Sequence, residues 1–214
     1  MTKTRYLSII FLFFAAHVLA QTGTNSSPTP VEILAGNNRL YLTTVINRPL
    51  GNNFEFFSLM MGTVDYENTF SENEMVISNA IRYVIVPNFR IAGNLKLHFK
   101  KGIMPGLGFE YLTRSSNWVF NIKSGYLCLP SNFIDNVVIT EFKPKLNDKL
   151  RLYTKLQYKL NWDITDNSHD RSFFIARLGL TKNKYTYGIG TNLDWYGPSE
   201  FQRKNTGIFL KMIL

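Results

Sequence analysis

Between Lys149 and Asp163 the chain alternates for fifteen residues. One set of alternate positions reads Leu150, Leu152, Thr154, Leu156, Tyr158, Leu160 and Trp162. The other reads Lys149, Arg151, Tyr153, Lys155, Gln157, Lys159, Asn161 and Asp163. Successive side chains of a strand point to opposite faces, whereas a helix would spread these charges around its circumference. Soluble strands average only about 5 or 6 residues. A strand this long, apolar on one face and charged on the other, suits the wall of a barrel.

The period recurs. Arg90, Ala92, Asn94, Lys96, His98 and Lys100 alternate with Ile91, Gly93, Leu95, Leu97 and Phe99. Lys184 to Trp195 and Gly207 to Leu214 repeat it. Eleven candidate strands follow, at 38–47, 53–66, 75–86, 89–101, 105–114, 117–129, 134–145, 149–163, 171–181, 184–196 and 203–214. A single-chain bacterial barrel has an even number of strands. Either a further strand lies near Val31 to Ala35 or one segment lies outside the wall. The expected fold is therefore all-β, a single antiparallel transmembrane β-barrel of 10–12 strands, with twelve preferred.

The N-terminus carries Lys3 and Arg5, an apolar run from Tyr6 to Ala16, and small residues Val18 and Ala20 before Gln21. This is the layout of a cleavable secretory signal. The apolar run is shorter than the roughly 20 residues of a spanning helix. The expected organisation is a signal peptide at 1–20, a flexible leader at 21–36 and the barrel at 37–214. One cysteine, Cys128, excludes an internal disulfide and a CxxC metal knuckle.

The connections alternate in character. Those at Pro87-Asn88, Ser115 to Asn117, Asn147-Asp148 and Lys182-Asn183 read as tight. Those near Thr69 to Glu74, Gly102 to Pro105, Ser131 to Asp135, Asp166 to Arg171 and Gly197 to Lys204 read as longer or less regular. Short periplasmic turns and longer outer loops give that pattern. Trp118 starts a strand beside a tight turn, while Trp162 and Trp195 end strands beside outer loops. Their indoles suit the two membrane interfaces.

If the apolar face meets lipid, the charged face lines the interior. The expected inward bases are Arg82, Arg90, Lys96, Lys123, Arg151, Lys155, Lys159, Arg177 and Lys211, with Arg39, Lys100 and Lys143 beside them. The inward acids include Glu55, Glu110 and Glu141, with Asp65, Asp163 and Asp194. The whole chain has 24 Lys and Arg against 15 Asp and Glu, for a formal charge of +9, two units of it from Lys3 and Arg5. The interior is thus mixed with a positive excess. Such charges must pair or meet water. They either fill a narrow barrel or line a wet path that attracts small anions.

No phosphate-binding loop, dinucleotide fingerprint, HExxH zinc motif or calcium loop is present, and no cofactor or metal is expected. His98 falls on the inward face, with Ser78, Ser124 and Asn94, and His169 reads as a solvent-exposed loop residue. An outer-membrane lipid hydrolase needs an activated serine facing lipid with a base beside it. The assigned faces do not supply one. Interleaved bases and aromatics follow from strand period, so no nucleic-acid partner is expected.

Export signal, repeated amphipathic strands, short turns and an apolar last strand resemble small outer-membrane β-barrel proteins of Gram-negative bacteria. The resemblance covers nearly all of the chain after the signal but rests on architecture, with no subfamily motif. It implies residence in the outer membrane, contact with its lipid, and insertion by the barrel-assembly machinery. Such machinery often engages a terminal Phe, whereas this chain ends in Leu214 with Phe209 inside the last strand. The family includes pores, adhesins, lipid-modifying enzymes and anchors. The expected role is structural or interactive, without catalysis and with another envelope protein as a partner. The alternatives are a narrow conduit for small anionic solutes and a lipid hydrolase.

Overall fold

The computed structural model describes residues 27–67, 69 and 73–214. The signal peptide and its cut before Gln21 lie outside the described residues. Among the described residues twelve strands form and no helix does. They are β1 (Pro30–Gly36), β2 (Arg39–Gly51), β3 (Phe54–Asp65) and β4 (Glu74–Val86). Next come β5 (Phe89–His98), β6 (Gly102–Arg114), β7 (Trp118–Leu127) and β8 (Phe133–Phe142). Last are β9 (Arg151–Asp163), β10 (Ser168–Lys182), β11 (Tyr185–Tyr196) and β12 (Phe201–Ile213). Each strand pairs antiparallel with its chain neighbours, and β1 pairs with β12 to close the barrel. Closure leaves no open edge, which the hydrocarbon requires.

The strand anticipated near Val31 to Ala35 is β1, so residues 30–36 belong to the wall and not to a leader. It is seven residues long and begins at a proline, which makes its alternation easy to miss. Glu32 and Leu34 are buried inside while Ile33 is 40% exposed outside. β1 joins Val31↔Met212 on one side and Val31↔Thr44 on the other.

The long alternating segment begins at Arg151, two residues later than its period suggests. Asn147 Oδ1 accepts hydrogen bonds from the Lys149 and Leu150 amides, 2.9 Å each, and so holds both residues in a turn. The β8–β9 connection therefore spans residues 143–150 and is not tight. Lys100 likewise lies in the turn between β5 and β6, beyond the wall. The end carrying both termini has short connections at 52–53, 87–88, 115–117 and 183–184. By the turn-length rule that end is periplasmic.

The outer face is apolar from strand to strand. Leu95, Leu107, Leu156, Leu178, Ile189 and Ile208 are 44–72% exposed at alternate positions. Trp118 at the periplasmic end and Trp162 at the outer end also face outward, 50% and 37% exposed. Trp195 shares the outward face at the outer end, paired with Ser172 and Gln202. An aqueous surroundings would make this belt costly; a bilayer makes it the favourable face.

Candidate functional site in the barrel lumen

The register places Arg82, Arg90, Lys96, Lys123, Arg151, Lys155, Lys159, Arg177 and Lys211 on the inward face, with Glu55, Glu110 and Glu141. Ser78, Asn94 and His98 are inward too. Ser124 is outward, since it pairs with Phe109 and Asn136 on the lipid face. Parity along β7 decides this, because Lys123 next to it points in.

The lumen divides into two sectors. One is apolar: Leu34, Tyr41, Tyr153, Phe173, Ile175 and Phe209 form a cluster between 0% and 5% exposed. They stand on β1, β2, β9, β10 and β12. Arg177 sits against this cluster, its Nε 2.8 Å from Glu32 Oε1 and its Nη1 2.8 Å from Asn192 Oδ1. The guanidinium lies flat because Gly190 faces it without a side chain. A Cβ there would come within 2.7 Å of Arg177 Cδ.

The other sector is lined with lysines from rim to rim. Lys101 follows β5 at the outer end and pairs with Asp170. Below it Lys96 and Lys159 share Asp135 Oδ2 at 2.9 and 2.8 Å. Glu110 holds Arg82 at 3.0 Å and Lys123 at 3.6 Å. Near the periplasmic end Glu141 holds Lys143 at 2.8 Å and Lys211 at 3.6 Å. Each of these three carboxylates serves two bases, so positive charge is left over at every level. The Lys101, Lys123 and Lys143 side chains remain 26–33% exposed, whereas Glu110 is only 3% exposed. Lys155 is inward between these levels, where Glu32 and Glu141 are the acids that act on its charge.

Several contacts cross the lumen. Lys123 stands over the Phe57 ring at 3.9 Å, from β7 to β3, and Arg82 stacks on the same ring at 3.7 Å. Lys211 on β12 donates to Tyr153 Oη on β9, 3.1 Å, which donates on to Glu141 Oε1 on β8, 3.0 Å. At the outer mouth Arg171 on β10 holds Glu74 on β4. Side chains from opposite walls therefore meet inside the barrel.

His169 differs from its sequence reading. It belongs to β10, not to a loop, and is 7% exposed. A register shift between His169 and Arg171 turns it outward. Its Nδ1 lies 2.8 Å from the Gly197 carbonyl and so carries the proton, leaving Nε2 to accept from Ser172 Oγ at 3.1 Å. Ser172 is also 7% exposed. The pair staples the bulge to the β11–β12 turn. Nothing in the local alternation signals it, because the bulge changes the parity. Among the described residues no group of three or more His, Cys, Asp or Glu could hold a metal ion.

A closed twelve-stranded antiparallel barrel with an apolar outer belt and a charged interior is an outer-membrane β-barrel of porin-like topology. No family model and no curated protein matches the chain. Among solved structures it is similar to "KdgM porin", with TM-score 0.48 and 8% identity over 87% of this chain and 98% of that one. It is similar also to "NanC porin structure in rhombohedral crystal form", with TM-score 0.49 and 10% identity over 88% and 100%. A third likeness, TM-score 0.40 and 7% identity over 87% and 96%, is to OmpT, an outer membrane protein of Vibrio cholerae.

Proposed function

We propose that this barrel is a narrow conduit for small anionic solutes. The observation that carries the reading is the lysine sector, in which Asp135, Glu110 and Glu141 each serve two bases along the length of the wall. Low-dielectric walls focus that excess and raise the local anion concentration. Partly exposed lysines present mobile charge to a passing solute, binding it weakly enough to release. Purified, folded protein in planar bilayers should show discrete openings that favour chloride over potassium. Lys155→Glu and Lys123→Glu should reduce that preference. A folded, inserted barrel that stays silent under the same conditions would remove the conduit.

The second reading is a structural or interaction barrel that meets outer-membrane lipid and another envelope protein. The cross-lumen contacts of Phe57, Tyr153 and Arg171 favour it, and silence in the bilayer experiment is its expected outcome. Insertion by the barrel-assembly machinery accompanies either reading. Lipid hydrolysis has the least support. Ser172 and His169 face lipid as a serine and base, but each is 7% exposed, and a backbone carbonyl stands where a charged orienting group would help.

A further inference from the structure

The Arg171–Glu74 pair joins strands that stand opposite each other, so it cuts the outer mouth into two halves. One half is bounded by β10, β11, β12, β1, β2, β3 and β4. Its bases differ in their partners. Arg171 is shared by two acids, with Nη1 2.7 Å from Glu74 and Nη2 2.7 Å from Asp194. Arg39, the first residue of β2, is 7% exposed and its guanidinium has no ion pair among the described residues. Its Nε and Nη1 are enclosed and have no hydrogen-bond partner. The backbone holds Arg39 in place: its amide donates to Asn205 Oδ1 at 3.2 Å and its carbonyl accepts from Asn205 Nδ2 at 3.1 Å.

Other enclosed atoms of the same half are also unpartnered. At the mouth they are Thr63 Oγ1, Tyr196 Oη, Arg171 Nε and Glu74 Oε2, the last of which keeps its ion pair to Arg171 Nη1. Thr63 is the inward residue of β3 next to Asp65, which faces Arg39 across the strand pair. The Tyr196 ring lies between two guanidinia, 4.8 Å from Arg171 and 5.4 Å from Arg203. All of these except the Glu74 carboxylate can donate. Leaving charged donors enclosed and unpaired is costly, and a ligand that accepts from them removes the cost.

We infer that this half of the mouth is a binding site for a small monocarboxylate, with Arg39 holding the carboxylate and Tyr196 and Thr63 donating to it. The charge of the site selects the valence. Asp65, Glu74 and Asp194 stand on its walls against Arg39, Arg171 and Arg203, so the mouth has no positive excess to hold a second negative charge, and a dianion would meet repulsion. The site lies above the lysine sector and goes beyond conduction, since it binds whether or not the lumen conducts.

Lactate is the probe, titrated into the folded protein in detergent micelles. The Arg39 Nε–H resonance should shift saturably in the unsubstituted chain, which needs no variant to fold. Arg39→Gln should weaken lactate binding about tenfold or more, and Tyr196→Phe less. An Arg39 resonance that does not move at saturating lactate would overturn the site. Equal affinity in folded Arg39→Gln would do the same. Inorganic phosphate binding more tightly than lactate would overturn the monocarboxylate. Bilayer conductance is read separately, so a silent barrel that binds lactate leaves the site standing and removes only the conduit.

Discussion

Arg171 Nη1 lies 2.7 Å from Glu74 Oε2, although β10 and β4 are six strands apart whichever way the barrel is traversed. The pair spans the outer mouth, with both side chains largely buried at 12% and 8% exposure. It separates the orphan donors around Arg39 from the lysine sector and, on the conduit reading, stands where a solute would enter.

Substitutions of that pair should move conductance in opposite directions. Glu74→Gln loosens the strut and removes a negative charge, so anion conductance should rise. Arg171→Gln leaves Glu74 and Asp194 facing each other, so anion conductance should fall and the fold should lose stability. Breaking one side of a buried pair costs ~3–5 kcal/mol, and water at the rim places this pair at the low end. Single-channel recording with denaturant unfolding of both variants checks the signs. Equal conductance in both variants would reject the gate.

Adjacent positions of β9 should respond differently to the same residue. Leu156 is 52% exposed on the lipid face, whereas Gln157 is inward beside Ile139 and Ile175. Leu156→Arg near mid-bilayer should destabilise by about 2–4 kcal/mol. Gln157→Arg should cost much less, because Lys155 and Lys159 flank it on the same inward face. Unfolding in lipid vesicles measures both. Equal penalties would contradict the assignment of faces.

Gly190→Val should destabilise the barrel by roughly 1–3 kcal/mol through overpacking. The added Cβ would meet Arg177 Cδ at 2.7 Å, and Arg177 cannot retreat because Glu32, Asn192 and the Ala176 and Thr191 carbonyls hold it. Gly93→Ala is the control, since nothing lies within 4 Å of its added Cβ. The difference between the two midpoints in urea is the quantity to compare.

Export should yield a mature chain beginning at Gln21. The basic, apolar and small-residue order from Lys3 to Ala20 motivates the cut. N-terminal sequencing of the membrane-extracted protein reads it directly, and a mature chain that keeps Tyr6 to Ala16 would contradict it.

Much of this barrel was determined by a local rule. Successive side chains of a strand alternate, so Lys155 inward and Leu156 outward can be read without knowing any neighbour. The same parity located eleven of the wall segments and turned Trp118 and Trp162 toward lipid. Where local chemistry broke the period, the reading slipped. Asn147 drew Lys149 and Leu150 into a turn, and the bulge before Arg171 turned His169 and Ser172 onto the outer face. β1 was too short to announce itself, yet it is the piece that closes the barrel.

Tertiary structure alone decided which inward charges meet. Arg177 finds Glu32 across 145 positions of sequence, and Arg171 finds Glu74 across the full width of the lumen. Parity specifies a face but not an angle around the barrel or a height within it. Those follow from closure and from the stagger of each strand pair, which are properties of the whole sheet. Only once the sheet is closed does one guanidinium receive two acids while Arg39, at the same rim, makes no ion pair among the described residues.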